Sequence, residues 1–87
     1  MSRAERRVTV ASPVGLHARP AARFVTAASE FDGEVRIARP SGASVPATSM
    51  LAVLALGVRC GEEIVITAEG EGAEELLDRL AEIAATP

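Results

Sequence analysis

The chain has no lysine, tryptophan or tyrosine, and only one cysteine and one histidine among its 87 residues. Cys60, alone, cannot close an internal disulfide, and one cysteine with one histidine falls short of any zinc-ligand set, so neither metal nor cofactor is expected. The two aromatic residues are Phe24 and Phe31. With a net charge of -3, that excludes a nucleic-acid-binding sheet, which needs exposed aromatics and basic charge. No apolar run approaches the roughly 18 residues of a membrane span, so no membrane insertion is expected. MSRAERRVTVA at the start lacks the apolar core of an export signal, and a cytoplasmic location is therefore expected. A glycine loop that cradles phosphate is absent, as is a base, nucleophile and orienting group at workable spacing, which argues against a stand-alone kinase or hydrolase. What remains is ordinary for a globular protein: 48% hydrophobic and 24% charged residues, all nine basic ones arginine. One domain over 1–87, long enough for a modest core, is expected.

Hydrophobic spacing divides the chain into alternating element types. Residues 7–11 alternate as a half-buried strand, with Val8 and Val10 on one side. A breaker-rich loop, Ser12-Pro13-Val14-Gly15-Leu16, follows. From 18 to about 31 the period becomes helical: Ala21, Phe24, Val25, Ala28 and Phe31 form one stripe, Arg19, Arg23, Thr26 and Glu30 the other. Asp32-Gly33 is read as the helix stop.

Residues 34–39 alternate again with Val35 and Ile37 inward, Pro40-Ser41-Gly42 turns, and a short strand returns around 44–47. Pro46 cannot donate to a ladder, which places that strand at an edge. Thr48 or Ser49 is positioned to cap a short helix over 50–56, ended by Gly57. The run 63–69 is a strand with Ile64, Ile66 and Ala68 on one face, and Ala73 to about Ala85 is an amphipathic helix with Leu76, Leu77, Leu80 and Ile83 inward. Strands with one apolar face want helices on that face and water on the other, where Thr9, Arg36 and Thr67 fall. The expectation is α+β: an open-faced sandwich in the order β-α-β-β-α-β-α, its sheet four-stranded and mainly antiparallel, with three helices on one side.

The segment Gly15-Leu16-His17-Ala18-Arg19-Pro20-Ala21-Ala22 joins a loop to a helix and holds the chain's sole histidine. Pro20 is tolerated there because first-turn amides have no intrahelical acceptor. Those N–H groups and the helix dipole attract an anion just beyond His17. Arg19 and Arg23, one turn apart, add positive charge on the same side. A neutral imidazole in that setting is a nucleophile for phosphorus, and its labile phosphoramidate hands the group on. Taken alone, a histidine before a helix is more often a cap or a surface residue, and the arginines merely solubilising charge.

GLHARPAA, however, resembles the active-site signature of the HPr family, the histidine phosphocarriers of the bacterial phosphoenolpyruvate-dependent sugar phosphotransferase system. The resemblance implies that His17 is the phosphorylated histidine, carrying phosphate on Nδ1. It also implies that Arg19 is the neighbouring active-site arginine and that Ala18 and Arg19 bind the phosphate. Ser49-Met50-Leu51-Ala52-Val53-Leu54-Ala55-Leu56-Gly57 resembles the family's regulatory-serine helix, and the likeness runs over about residues 7–84.

By the same resemblance, the partners are enzyme I as phosphoryl donor and sugar-permease A domains as acceptors. An HPr serine kinase/phosphorylase would act at Ser49, and the carrier itself would be a monomer and no independent enzyme. The helix at 50–56 is apolar all around, so Val53 and Leu56 are expected in the core, while some of Met50, Leu51 and Leu54 stay exposed to dock partners beside Arg23. The alternative is that the last helix covers them. Thr48, where the family commonly has lysine, and Pro46 depart from its pattern and bear on kinase recognition rather than on His17. A paralogue with the same His17 chemistry in regulation or nitrogen metabolism is the rival reading.

Overall fold

The computed structural model describes residues 3–87. The chain runs β1 (Arg3–Thr9), α1 (Ala18–Ser29), β2 (Glu34–Ala38), β3 (Val45–Pro46), α2 (Met50–Ala55), β4 (Glu63–Glu69) and α3 (Ala73–Ala85). The four strands form one antiparallel sheet in the order β1-β4-β2-β3. The element order and the sheet are those expected, and β3 with Pro46 lies at an edge, as does β1.

The core lies between one face of this sheet and the helices. Ile64, Ile66 and Ala68 of β4, Val35 and Ile37 of β2 and Val8 of β1 meet Phe24 and Ala28 of α1 and Leu77 and Leu80 of α3. Phe24 is fully buried, which contributes about 2–3 kcal/mol through its apolar area. Val25 and Phe31 are half-buried against the same cluster. Thr9, Arg36 and Thr67 lie on the open face, where a shallow hollow of about 350 Å³ is lined by residues of both charge signs, among them Arg3, Glu5, Glu34 and Arg36.

Several boundaries move. β1 covers 3–9 rather than 7–11, because charged Arg3-Ala4-Glu5-Arg6 masks the alternation. Arg6 sits between Ala4 and Val8 on the helix side, yet its guanidinium reaches past the core to Asp78 at 2.6 Å and Glu74 at 3.2 Å on α3. Such an inward charge suits an edge strand, which it guards against pairing with another chain. Val10 lies beyond the strand but remains buried and tied to the loop between α2 and β4, its N–H donating to Glu62 O at 2.9 Å. α1 stops at Ser29 with Glu30 as its right-handed C-cap, before Asp32-Gly33. β2 ends at Ala38, β3 shrinks to Val45–Pro46, and α2 ends at Ala55 with Leu56 as C-cap. Gly57 then takes φ +63, the left-handed residue that follows many helix ends.

Candidate functional site

His17 stands at the N-cap position of α1 in extended conformation, φ -142 and ψ 162, and its side chain makes no capping hydrogen bond. The residue is exposed, so the ring is free for a partner. The backbone that follows is unusual. Ala18 has φ +48 and is the only described non-glycine residue in the left-handed region, a conformation that costs an L-residue roughly 1–2 kcal/mol. The chain thus turns sharply between the histidine and the helix, and the surrounding structure must hold it there. The early amides of α1 that lack intrahelical acceptors include those of Ala18 and Arg19, and Pro20 has none to offer.

Arg19 and Arg23 are exposed and, among the described residues, form no ion pair. They line one hollow of about 230 Å³ with Ser12, Pro20, Ile83 and Thr86. The structure therefore brings the two arginines together, beside the end of α3. His17 opens to solvent outside that hollow's lining.

The second motif packs on the first. The principal neighbours of α2 are α1 and β3, so the long C-terminal helix is not its cover. Val53 is fully buried, while Met50, Leu54 and Leu56 are half-buried against the core. Leu56, expected in the core, reaches only its margin because it is the C-cap of a helix that ends one residue earlier. Leu51 is 82% exposed. It and Val14, 62% exposed, are the exposed large hydrophobics among the described residues. Leu51 sits in the second motif and Val14 in the loop just before the first, and Val14 was not singled out from sequence, since an apolar residue in a turn has no periodicity to assign it a face.

Ser49 caps α2: its Oγ accepts from Ala52 N at 3.2 Å. Ser49→Ala is expected to lower stability by about 1 kcal/mol, read as a parallel shift of the urea midpoint with unchanged m-value. An unchanged midpoint would show that packing on α1, not the cap, holds the helix.

Segment 56–62 supports both motifs. Leu16 N, one residue before His17, donates to Val58 O at 3.0 Å. Arg39, from the end of β2, donates through Nε to Leu56 O at 2.9 Å and through Nη2 to Gly57 O at 2.7 Å. The same Nη2 meets Glu62 Oε1 at 3.2 Å, and that oxygen also accepts from Arg59 N at 2.7 Å. The Arg39 hydrogen bond, then the Arg59 amide, hold the Glu62 carboxyl below its ordinary value of 4.5. A lowered carboxylate stabilises the fold above its unfolded value and loses that contribution as pH falls through the lowered one. Neither Arg39 nor Glu62 was recognised from sequence, because a charge just outside a strand end carries no periodic signal.

The two-layer sheet-and-helix fold thus displays an exposed histidine at the N-terminus of α1, with a short apolar helix packed against that same helix. The family model described as "PTS HPr component phosphorylation site" matches residues 4–86. The phosphocarrier protein HPr of Streptomyces coelicolor is 55% identical over 82 residues, spanning 94% of this chain and 88% of that protein. That of Haloferax volcanii is 50% identical over 84 residues, 95% and 94% of the two chains. The crystal structure of HPr from Bacillus anthracis superposes with a TM-score of 0.89 at 38% identity, covering 97% of this chain and 99% of that one. The chain belongs to the HPr family, and its role is that of a phosphoryl carrier in the phosphotransferase system.

Proposed function

We propose that His17 is the residue on which the group is carried, received from phospho-enzyme I and passed to sugar-permease A domains. The observation that carries this is the exposed His17 at the N-cap of α1, its side chain capping nothing, on the segment that also carries Arg19 and Arg23, which pair with no carboxylate among the described residues. The lone pair of the neutral ring attacks phosphorus in line, the bond from phosphorus to the donor breaks, and the donor leaves with that electron pair. The new N–P bond puts phosphate oxygens before the free amides of Ala18 and Arg19 and the positive end of α1. Arg19, drawn from its place beside α3, neutralises part of their charge. The phosphoryl group then waits for an acceptor. Turnover therefore belongs to the donor–carrier–acceptor set rather than to this chain alone.

Docking in this reading uses Leu51, the half-buried Met50 and Leu54 beside it, and Arg23 for an acidic partner surface. Phosphate on Ser49 would bring nearly two negative charges to that surface, tolerated by the N-terminus of α2 but repelling an acidic partner. A serine kinase would make Ser49 a brake.

The testing experiment supplies labelled phosphoenolpyruvate and enzyme I, follows acid-labile label onto this chain, and then adds a sugar-permease A domain. Label that arrives and departs to the sugar acceptor supports the reading. Label that arrives but leaves only for a regulatory or nitrogen-related acceptor would replace the sugar role with the paralogue's.

Leu51→Glu gives a sharper check on docking. Its side chain has no packing to lose, so the melting temperature is expected to stay within about 3 °C. The KM of the donor reaction for this carrier should rise about tenfold. An unchanged KM in the folded variant would remove α2 from the interface.

A further inference from the structure

We propose that Arg39 and Glu62 form a charged clamp that sets the position of the docking helix α2 relative to His17, making both positioning residues for phosphoryl transfer between proteins. The inference rests on the carrier reading above and extends it to residues outside both motifs.

α2 has six residues, far below the length at which a helix holds itself together in water. Its two ends must be secured from outside. Ser49 secures the first. At the other, a helix leaves carbonyls without partners and a negative dipole end, and there Arg39 lays its planar fork, one nitrogen on Leu56 O and another on Gly57 O. A guanidinium reads two adjacent carbonyls at fixed geometry; an ammonium cannot.

The clamp then couples this end to the histidine segment. Glu62 holds Arg39 from behind and takes the N–H of Arg59, closing the turn 59–62 together with the Glu62 N–H donation to Arg59 O at 3.1 Å. Val58, between Gly57 and Arg59, accepts from Leu16 N, the residue before His17. Besides the direct packing of α2 on α1, a second connection from Leu51 to His17 therefore runs through the stretch of backbone that Arg39 and Glu62 grip. A partner that touches Leu51 and the His17 ring at once needs their spacing held. The pair is half-exposed, with side-chain accessibilities of 36% and 40%, so its contribution to overall stability is small. Its effect lies in geometry.

The test compares wild type, Arg39→Ala and Arg39→Lys with two donors: phospho-enzyme I, which must dock, and phosphoramidate, which phosphorylates imidazole without docking. In Arg39→Ala, KM with the protein donor is expected to rise about tenfold with kcat nearly unchanged, while the phosphoramidate rate stays at the wild-type value. Arg39→Lys should fall between, since it keeps the charge and loses the fork. Should Arg39→Ala fail to fold, the lysine variant carries the same comparison. Independently of any donor, amide hydrogen exchange at Leu16 and Gly57 should accelerate in both variants while β4 amides are unchanged. A folded Arg39→Ala with wild-type KM and wild-type exchange would overturn the clamp, as would equal losses with both donors. Wild-type protein that takes no label from enzyme I would instead overturn the carrier reading, and the exchange comparison would still decide whether the clamp exists.

Discussion

His17→Ala is expected to remove the acid-labile phosphoryl label completely while leaving the fold intact. Both halves follow from the local geometry. His17 is the single histidine of the chain, so no other side chain can form an acid-labile phosphoramidate at an imidazole. Its ring is exposed and caps nothing, so truncation breaks no hydrogen bond and opens no cavity. Surface changes of that kind stay within about 0.5 kcal/mol, or about 2–4 °C in melting temperature for a domain this size. The measurement is label from phosphoenolpyruvate through enzyme I, with circular dichroism of the same samples. Acid-labile label persisting on a folded His17→Ala protein would end the assignment of His17. Acid-stable label would point to a hydroxyl such as that of Ser49.

Gly15→Ala carries the largest expected loss of stability in the site. Gly15 has φ +72, and a Cβ there would lie 2.4 Å from Val58 O and 2.9 Å from Arg59 Cα. Both are backbone atoms, so no side chain can swing away. The left-handed conformation alone costs an alanine about 1–2 kcal/mol, and relieving the contact requires parting the two loops. A total of about 3 kcal/mol or more is expected, lowering the melting temperature by about 12–24 °C. The Leu16–Val58 hydrogen bond should be the first lost, so transfer to His17 falls with stability. Gly61→Ala is the control: φ is +88 but nothing lies within 4 Å of the added carbon, so only the conformational cost of about 1–2 kcal/mol applies. Equal melting temperatures for the two variants would show that the loops part without cost.

How far the molecule was legible from its residues depended on the kind of signal. Where burial imposes a period, as in Ile64, Ile66 and Ala68 or Leu76, Leu77, Leu80 and Ile83, element type and inward face follow from sequence. Boundaries failed where a polar residue stands on an apolar face. Arg6 hid the first half of β1 because its long side chain leaves the core for Asp78 and Glu74 on α3, an escape visible only once α3 is in place. Leu51 and Leu54 could not be told apart in a helix apolar all around; in the fold Leu54 packs against the core and Leu51 stays open. The strained turn at Ala18 carried no signal either, since alanine is the best former of right-handed helix and lacks the freedom of glycine.

By itself, the sequence determined the α+β element order, the apolar faces, the edge position of Pro46 and the lone histidine before a helix. These are consequences of short-range rules: side-chain period, the missing proline N–H, and the unpaired amides of a first turn. The tertiary structure alone decided that β4 lies between β1 and β2, that Gly15 backs onto Val58 and Arg59, and that Arg39 grips the end of α2. Those contacts join residues far apart in the chain through distance and direction, which no local spacing encodes. They set how the His17 segment and the Leu51 helix stand toward one another.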